Sequence, residues 1–323
     1  MDCRRGQGIH QGQLDAVACL LRHTPRRTEI MNTKELQLLC ERNRKRLVEV
    51  VYRAKAGHIG GDLSCLNMLT ALYFHVMQGL EPANPKVADR DRFVLSKGHC
   101  VEALYVTLEA RGFLKPEVLD TLGQFGSILS GHPTIEVPGI EVNSGALGHG
   151  LSIGVGMALA AKMDSLPEGI CNPRPAGGDL QSPTYRVFVL MGDGEQGEGS
   201  IYEAAMAAHR YHLDNLVAII DRNHLQISGN TEDVMPLESI ADRWTALGWE
   251  VATLNGDNMA DILHAFNTID YNNGRPHLLI SNTTKGRGVS FMEGIAKWHH
   301  GVLNEEQCRQ AVAEIEARIA LLM

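Results

Sequence analysis

Apolar residues recur along this chain with two periods, and the two alternate. From residue 34 a helical period sets in: Leu36, Leu39, Leu47, Val50 and Val51 fall on one stripe behind a cap at Asn32 or Thr33, predicting a helix over 34–56. Gly57-His58-Ile59-Gly60-Gly61 then breaks it, and a second helix is expected at about 64–77. Short apolar runs at 92–96, 186–191, 216–220, 249–254 and 277–283 read as strands. Helices are expected after Lys97-Gly98-His99, over 149–163, from the Gly199 region to about 213, and over 238–247, 258–270 and 304–322. Strands alternating with helices of this length predict an α/β fold: a parallel sheet with helices on both faces.

The rest of the chain refines this frame. Pro82 and Pro85 mark a loop, and 165–184, with four Pro and three Gly, reads as an exposed loop or insertion. Residues 1–31 carry five Arg without a sustained apolar period and are expected to be a disordered extension, leaving 32–323 as one domain. Apolar residues make up 44% of the chain and aromatics 5%, which suits an aliphatic core. A net charge of −8 argues against nucleic acid as a partner, and no apolar run is long enough for a membrane span. Seven Cys without a CxxC pair suggest reduced thiols and a cytoplasmic location.

Candidate chemistry begins at Gly192-Asp193-Gly194, on the carboxyl end of an expected strand. Flanking glycines let the backbone approach a ligand closely, and a lone Asp there is a hard oxygen ligand for Mg2+ or Ca2+. Twenty-eight residues separate Gly194 from Asn223, which stands at the end of the next strand. One strand–helix–strand unit would bring Asp193 and Asn223 side by side. One carboxylate and one neutral amide leave a divalent ion with net positive charge, to be completed by phosphate oxygens and water. The helix start after Gly194 adds free N–H groups. Together these favour a diphosphate.

This spacing resembles the thiamine diphosphate motif of the transketolase family. So do RDRFVLSKGH at 90–99, SGHP at 130–133, GALGHG at 145–150, GDGEQGEG at 192–199, LDNLVAIIDRNHLQISG at 213–229 and KGRGVSF…KWHHG at 285–301. The resemblance covers residues from about 34 to 310 and is to the family's N-terminal, diphosphate-binding domain. It implies Asp193, Asn223 and the carbonyl of Leu225 as ligands of Mg2+, with Ca2+ or Mn2+ able to substitute. It also implies that Gly194 and the Gly145-Ala146-Leu147 turn meet thiamine diphosphate. Lys97, His99 and Lys285 would face its diphosphate or the reacting centre. His58, His99, His132 and His299 would line the substrate channel, with His300 an alternative to His299. Glu198 and Glu203 match acids that communicate across the family's dimer. This chain departs from the family pattern at Ile59, His149 and His300.

The family's members are about twice this length, and their second half supplies a catalytic Glu. The resemblance therefore implies a split enzyme: a separate C-terminal chain, a dimer of such heterodimers, and ketol transfer between sugar phosphates only when both chains are present. The alternatives are one half of a 1-deoxyxylulose-5-phosphate synthase-like enzyme, or a non-catalytic thiamine diphosphate-binding paralogue.

Overall fold

The computed structural model describes residues 31–164 and 183–323. The expectations for residues 1–30 and for nearly all of the 165–184 loop lie outside the described residues.

The chain enters through α1 (Thr33–Ala54), whose start is fixed by a capping box: Asn32 and Glu35 each bond the other's main-chain N–H. It continues through α2 (Ile59–Ala71), β1 (Arg92–Leu95), α3 (Val101–Arg111), the short α4 (Pro116–Leu119), α5 (Gly150–Met163), β2 (Val187–Gly192), α6 (Gly199–Arg210) and β3 (Leu216–Arg222). A small antiparallel hairpin, β4 (Leu225–Gln226) and β5 (Gly229–Asn230), precedes α7 (Thr231–Val234) and α8 (Ile240–Ala246). Then follow β6 (Glu250–Asn255), α9 (Met259–Asn267), β7 (His277–Asn282) and α10 (Glu305–Leu322).

Five strands pair in parallel in the order β1-β2-β3-β7-β6. Their side chains alternate between two cores, as the period of a strand requires. Phe188, Leu190, Val217 and Ile219 join a core covered by α1, α2, α3, α9 and α10. Val187, Val189, Met191, Leu216, Ala218 and Ile220 join a second core covered by α5, α6 and α8. In that second core Trp244 meets Trp249 edge-on, with ring centroids 4.7 Å apart. The expected α/β sheet with helices on both faces is the one observed.

One expected boundary was wrong. Gly60 and Gly61 do not break the helix; they lie in the first turn of α2, which begins at Ile59. A Cβ on Gly60 would stand 2.5 Å from the carbonyl oxygen of Trp298, and one on Gly61 2.7 Å from Cys100 Sγ. The glycines are there because two other segments press on the start of this helix. The same closeness brings His58, the residue before α2, over the ends of the strands.

Candidate cofactor site

Parallel strands place all their carboxyl ends on one side, and ligands of open α/β sheets collect there. Here β1 leads to Lys97 and His99, β2 to Asp193, β3 to Asn223 and, through a short turn, β7 to Lys285. These residues line one cavity of about 340 Å3, together with His58, Gly145, Leu147, Gly194, Leu225 and His299.

Asp193 is held from several sides. Its Oδ1 accepts from the N–H of Gly194 at 2.8 Å, and its Oδ2 from the N–H of His224 at 2.7 Å and from Arg222 Nη1 at 3.3 Å. Burial, and then the neighbouring Asp221 carboxylate, raise its pKa above the ordinary range, so a cation beside it would be favourable. Asn223 Oδ1 accepts from the Leu225 N–H at 3.1 Å. The Leu225 carbonyl accepts from Lys285 Nζ at 3.2 Å.

The two lysines are placed differently. Lys97 is buried, and its ammonium is ion-paired with Asp221 while also donating to the Gly61 carbonyl at 3.3 Å. Burial opposes that charge, but Asp221, with Cys100 and Cys65, outweighs it and raises the pKa well above the usual lysine value. Lys97 therefore lines the cavity with its charge already matched by a carboxylate. Lys285 has no such partner. Its Nζ reaches His299 Nδ1 at 2.7 Å, and burial, followed by Lys97, lowers its pKa to about 8.

The histidines form a connected group. Ring centroids of His58 lie 5.3 Å from His99, 5.8 Å from His299, 6.5 Å from His132 and 4.9 Å from His300. His99 stacks on His299 at 5.3 Å. Burial first, and then neighbouring cationic groups, lower the pKa of His58 to about 4 and that of His299 to about 3. His132 is lowered too, burial leading. His132 stands at the rim against Gly145, whose φ of 141° brings the backbone close to the ring. Of the two candidates in KWHHG, His299 lines the cavity and His300 is exposed beside His58.

Other expected residues fall elsewhere. Ala146 is exposed while its neighbours Gly145 and Leu147 line the cavity. Glu198 and Glu203 are exposed on α6, outside it. The acid that does reach the cavity from this segment is Glu195. It is buried and accepts from Ser96 Oγ, from Gly148 N–H at 2.8 Å and from Gly192 N–H at 3.0 Å. Asp221 likewise holds Lys97, Ser64, Asn223 and Thr283 together. Nothing local marks either acid, because Ser64 is 157 positions from Asp221 and Ser96 is 99 from Glu195.

A family model described as "Transketolase, thiamine diphosphate binding domain" matches residues 37–316. The chain belongs to this family. One of the two chains of the apulose-4-phosphate transketolase of Phocaeicola vulgatus is 68% identical over 292 residues, covering 90% of this chain and 98% of that protein. The 6-deoxy-6-sulfo-D-fructose transketolase subunit SqwG of a Clostridium species is 40% identical over 289 residues, covering 88% and 98%. Among solved structures, the transketolase of Campylobacter jejuni superposes with a TM-score of 0.78 at 32% identity, covering 88% of this chain and 43% of that one. The chain thus spans nearly all of the two subunits and less than half of the full-length transketolase.

For a transketolase-family domain, the test is whether these residues suit a metal-bound diphosphate. Asp193, Asn223 and Leu225 offer carboxylate, amide and carbonyl oxygens to one cavity, a donor set that suits a small hard cation. Lys285, buried without a carboxylate partner, suits the anionic end of the cofactor. Backbone at Gly145 and Gly194 lines the same space, where side chains would crowd His132 or Gln226. The residues fit the group.

Proposed function

We propose that this chain is the cofactor-binding half of a two-chain transketolase that moves a two-carbon ketol unit from a ketose phosphate to an aldose phosphate. The observation that carries the reading is the shared cavity. An oxygen donor set, a lysine without a counter-ion and a ring of histidines converge at the strand ends. The match over nearly the full length of two transketolase subunits supports the split arrangement.

In this reading Asp193, Asn223 and the Leu225 carbonyl hold Mg2+, and Lys285 turns from Leu225 toward the diphosphate. Bound thiamine diphosphate would supply the nucleophilic carbon and the electron sink that carbon–carbon cleavage needs. His58 and His299 stay neutral at physiological pH and can accept a proton from a substrate hydroxyl. His58 Nδ1 is buried without a partner, leaving it ready for such a contact. His99 and His132 extend the ring toward the mouth. Lys97 holds the end of β3 in place through Asp221. Glu198 and Glu203 lie on the face offered to a second copy, in a dimer of heterodimers located in the cytoplasm. The name of the Phocaeicola relative makes apulose 4-phosphate the first donor to test.

The decisive assay follows aldose phosphate production by the purified chain, alone and mixed with its C-terminal partner. Turnover is expected only in the mixture, with Mg2+ and thiamine diphosphate present. Robust transfer by this chain alone would refute the split enzyme. Cofactor binding with no partner-dependent turnover on any ketose phosphate would favour the non-catalytic paralogue.

A further inference from the structure

Beneath the histidines lies an acid pair that the proposed reaction does not use. Asp62 is in the first turn of α2 and Glu102 in the first turn of α3, and both are buried. Their carboxyl groups are in hydrogen-bond contact. Asp62 Oδ1 accepts from the N–H of Ala103 at 2.9 Å, tying one helix start to the other. The main-chain N–H of His58 reaches the Glu102 carboxyl. Asp62 Oδ2 and Glu102 Oε2 find no N–H or O–H donor from the rest of the described chain.

Two carboxylates cannot both stay charged in contact and away from water; one proton between them supplies the missing donor. The single negative charge that remains sits at the amino ends of two helices, where their dipoles favour it. His58 immediately precedes α2 and His99 lies just before α3, with their rings 5.3 Å apart. We propose that Asp62 and Glu102 share one proton and, as a monoanionic pair, clamp the starts of α2 and α3 so that His58 and His99 keep their spacing.

The pair is then pH-sensitive. Burial pushes Glu102 up to about 8, and burial and then Glu102 raise Asp62 well above the carboxylate range. The neighbouring charged or titratable groups are Lys97 and Cys100 from the turn after β1, with Cys65 of α2 hydrogen-bonded to Cys100. From α1 the contact near Gly57 and Glu102 is made by the methyl groups of Val51. A raised carboxyl pKa means that the native chain holds a proton the unfolded chain has lost. The stabilisation is full below the ordinary Glu value of 4.5 and is lost as pH rises to about 8.

The test uses the isolated full chain without cofactor, so it stands or falls separately from the proposed reaction. With 13C-labelled carboxyl groups, wild type should show one side-chain carboxyl titrating near pH 8, and the His58 and His99 ring resonances should move in the same step. Glu102→Gln, whose amide donates permanently to Asp62, should abolish both changes and flatten the fall in Tm over that window. Two carboxyls titrating in the ordinary range in wild type would overturn the shared proton, whether or not the variant folds. A carboxyl step that leaves both imidazoles unmoved would overturn the positioning role.

Discussion

His58 and His299 sit in a cavity that already holds Lys285, and their neutrality follows from that company. Their depressed pKa values give a testable sign. The native chain refuses protons that the unfolded chain accepts, so stability present above the ordinary histidine value of 6.5 is lost as pH falls toward about 4 for His58 and about 3 for His299. Denaturant midpoints of His58→Asn and His299→Asn should each fall less than wild type between neutral and acid pH. The Lys97–Asp221 pair makes a second prediction. Asp221→Asn leaves a buried ammonium uncompensated and should cost about 3–5 kcal/mol, measured by chemical denaturation. Adding Lys97→Met to that variant should recover a large part of the loss. At this level the sequence exposed Asp193, Asn223 and Leu225, because strand-end spacing is a local signal. It concealed Asp221 and Glu195, whose partners become neighbours only when strands far apart in the chain are laid side by side.

Helices and strands were mostly visible from their periods, since burial on one face leaves a repeat of 3.6 or 2. The start of α2 was not, because glycine signals a break unless one knows that Trp298 and Cys100 lie against it. The β4–β5 hairpin is two residues per strand and too short to show a period. Helix α5 shows how one residue type carries opposite meanings. A Cβ on Gly154 would overlap Val189 Cγ2 of β2, whereas Gly156 has nothing within 4 Å. Gly154→Ala should therefore cost about 1–3 kcal/mol through overpacking. Gly156→Ala should stabilise by about 0.4–1 kcal/mol through the unfolded chain. Equilibrium unfolding of the two variants separates these signs.

Across the whole molecule, every proposed metal and diphosphate contact comes from this one chain, although it spans only 43% of the Campylobacter transketolase. Asp193 is satisfied by Arg222 and two main-chain N–H groups without any ion. Treating the ligand-free chain with a chelator should thus leave its Tm unchanged. Adding Mg2+ and thiamine diphosphate together at about 100 times the Kd should stabilise it by about 2.7 kcal/mol, and neither alone should match that. Asn223→Ala should abolish most of the gain while leaving the ligand-free Tm within a few degrees, as scanning calorimetry can show.

The placement of the tryptophans has a spectroscopic consequence. The chain has three Trp. Trp244 and Trp249 are packed together in the core beneath α6 and α8, while Trp298 is joined directly to the His299 that lines the cavity. Replacing the first two with Phe would leave a single indole beside the site. Its emission would report on what enters the cavity, free of the signal from the far side of the sheet, and would let ligand association be timed without an enzymatic assay.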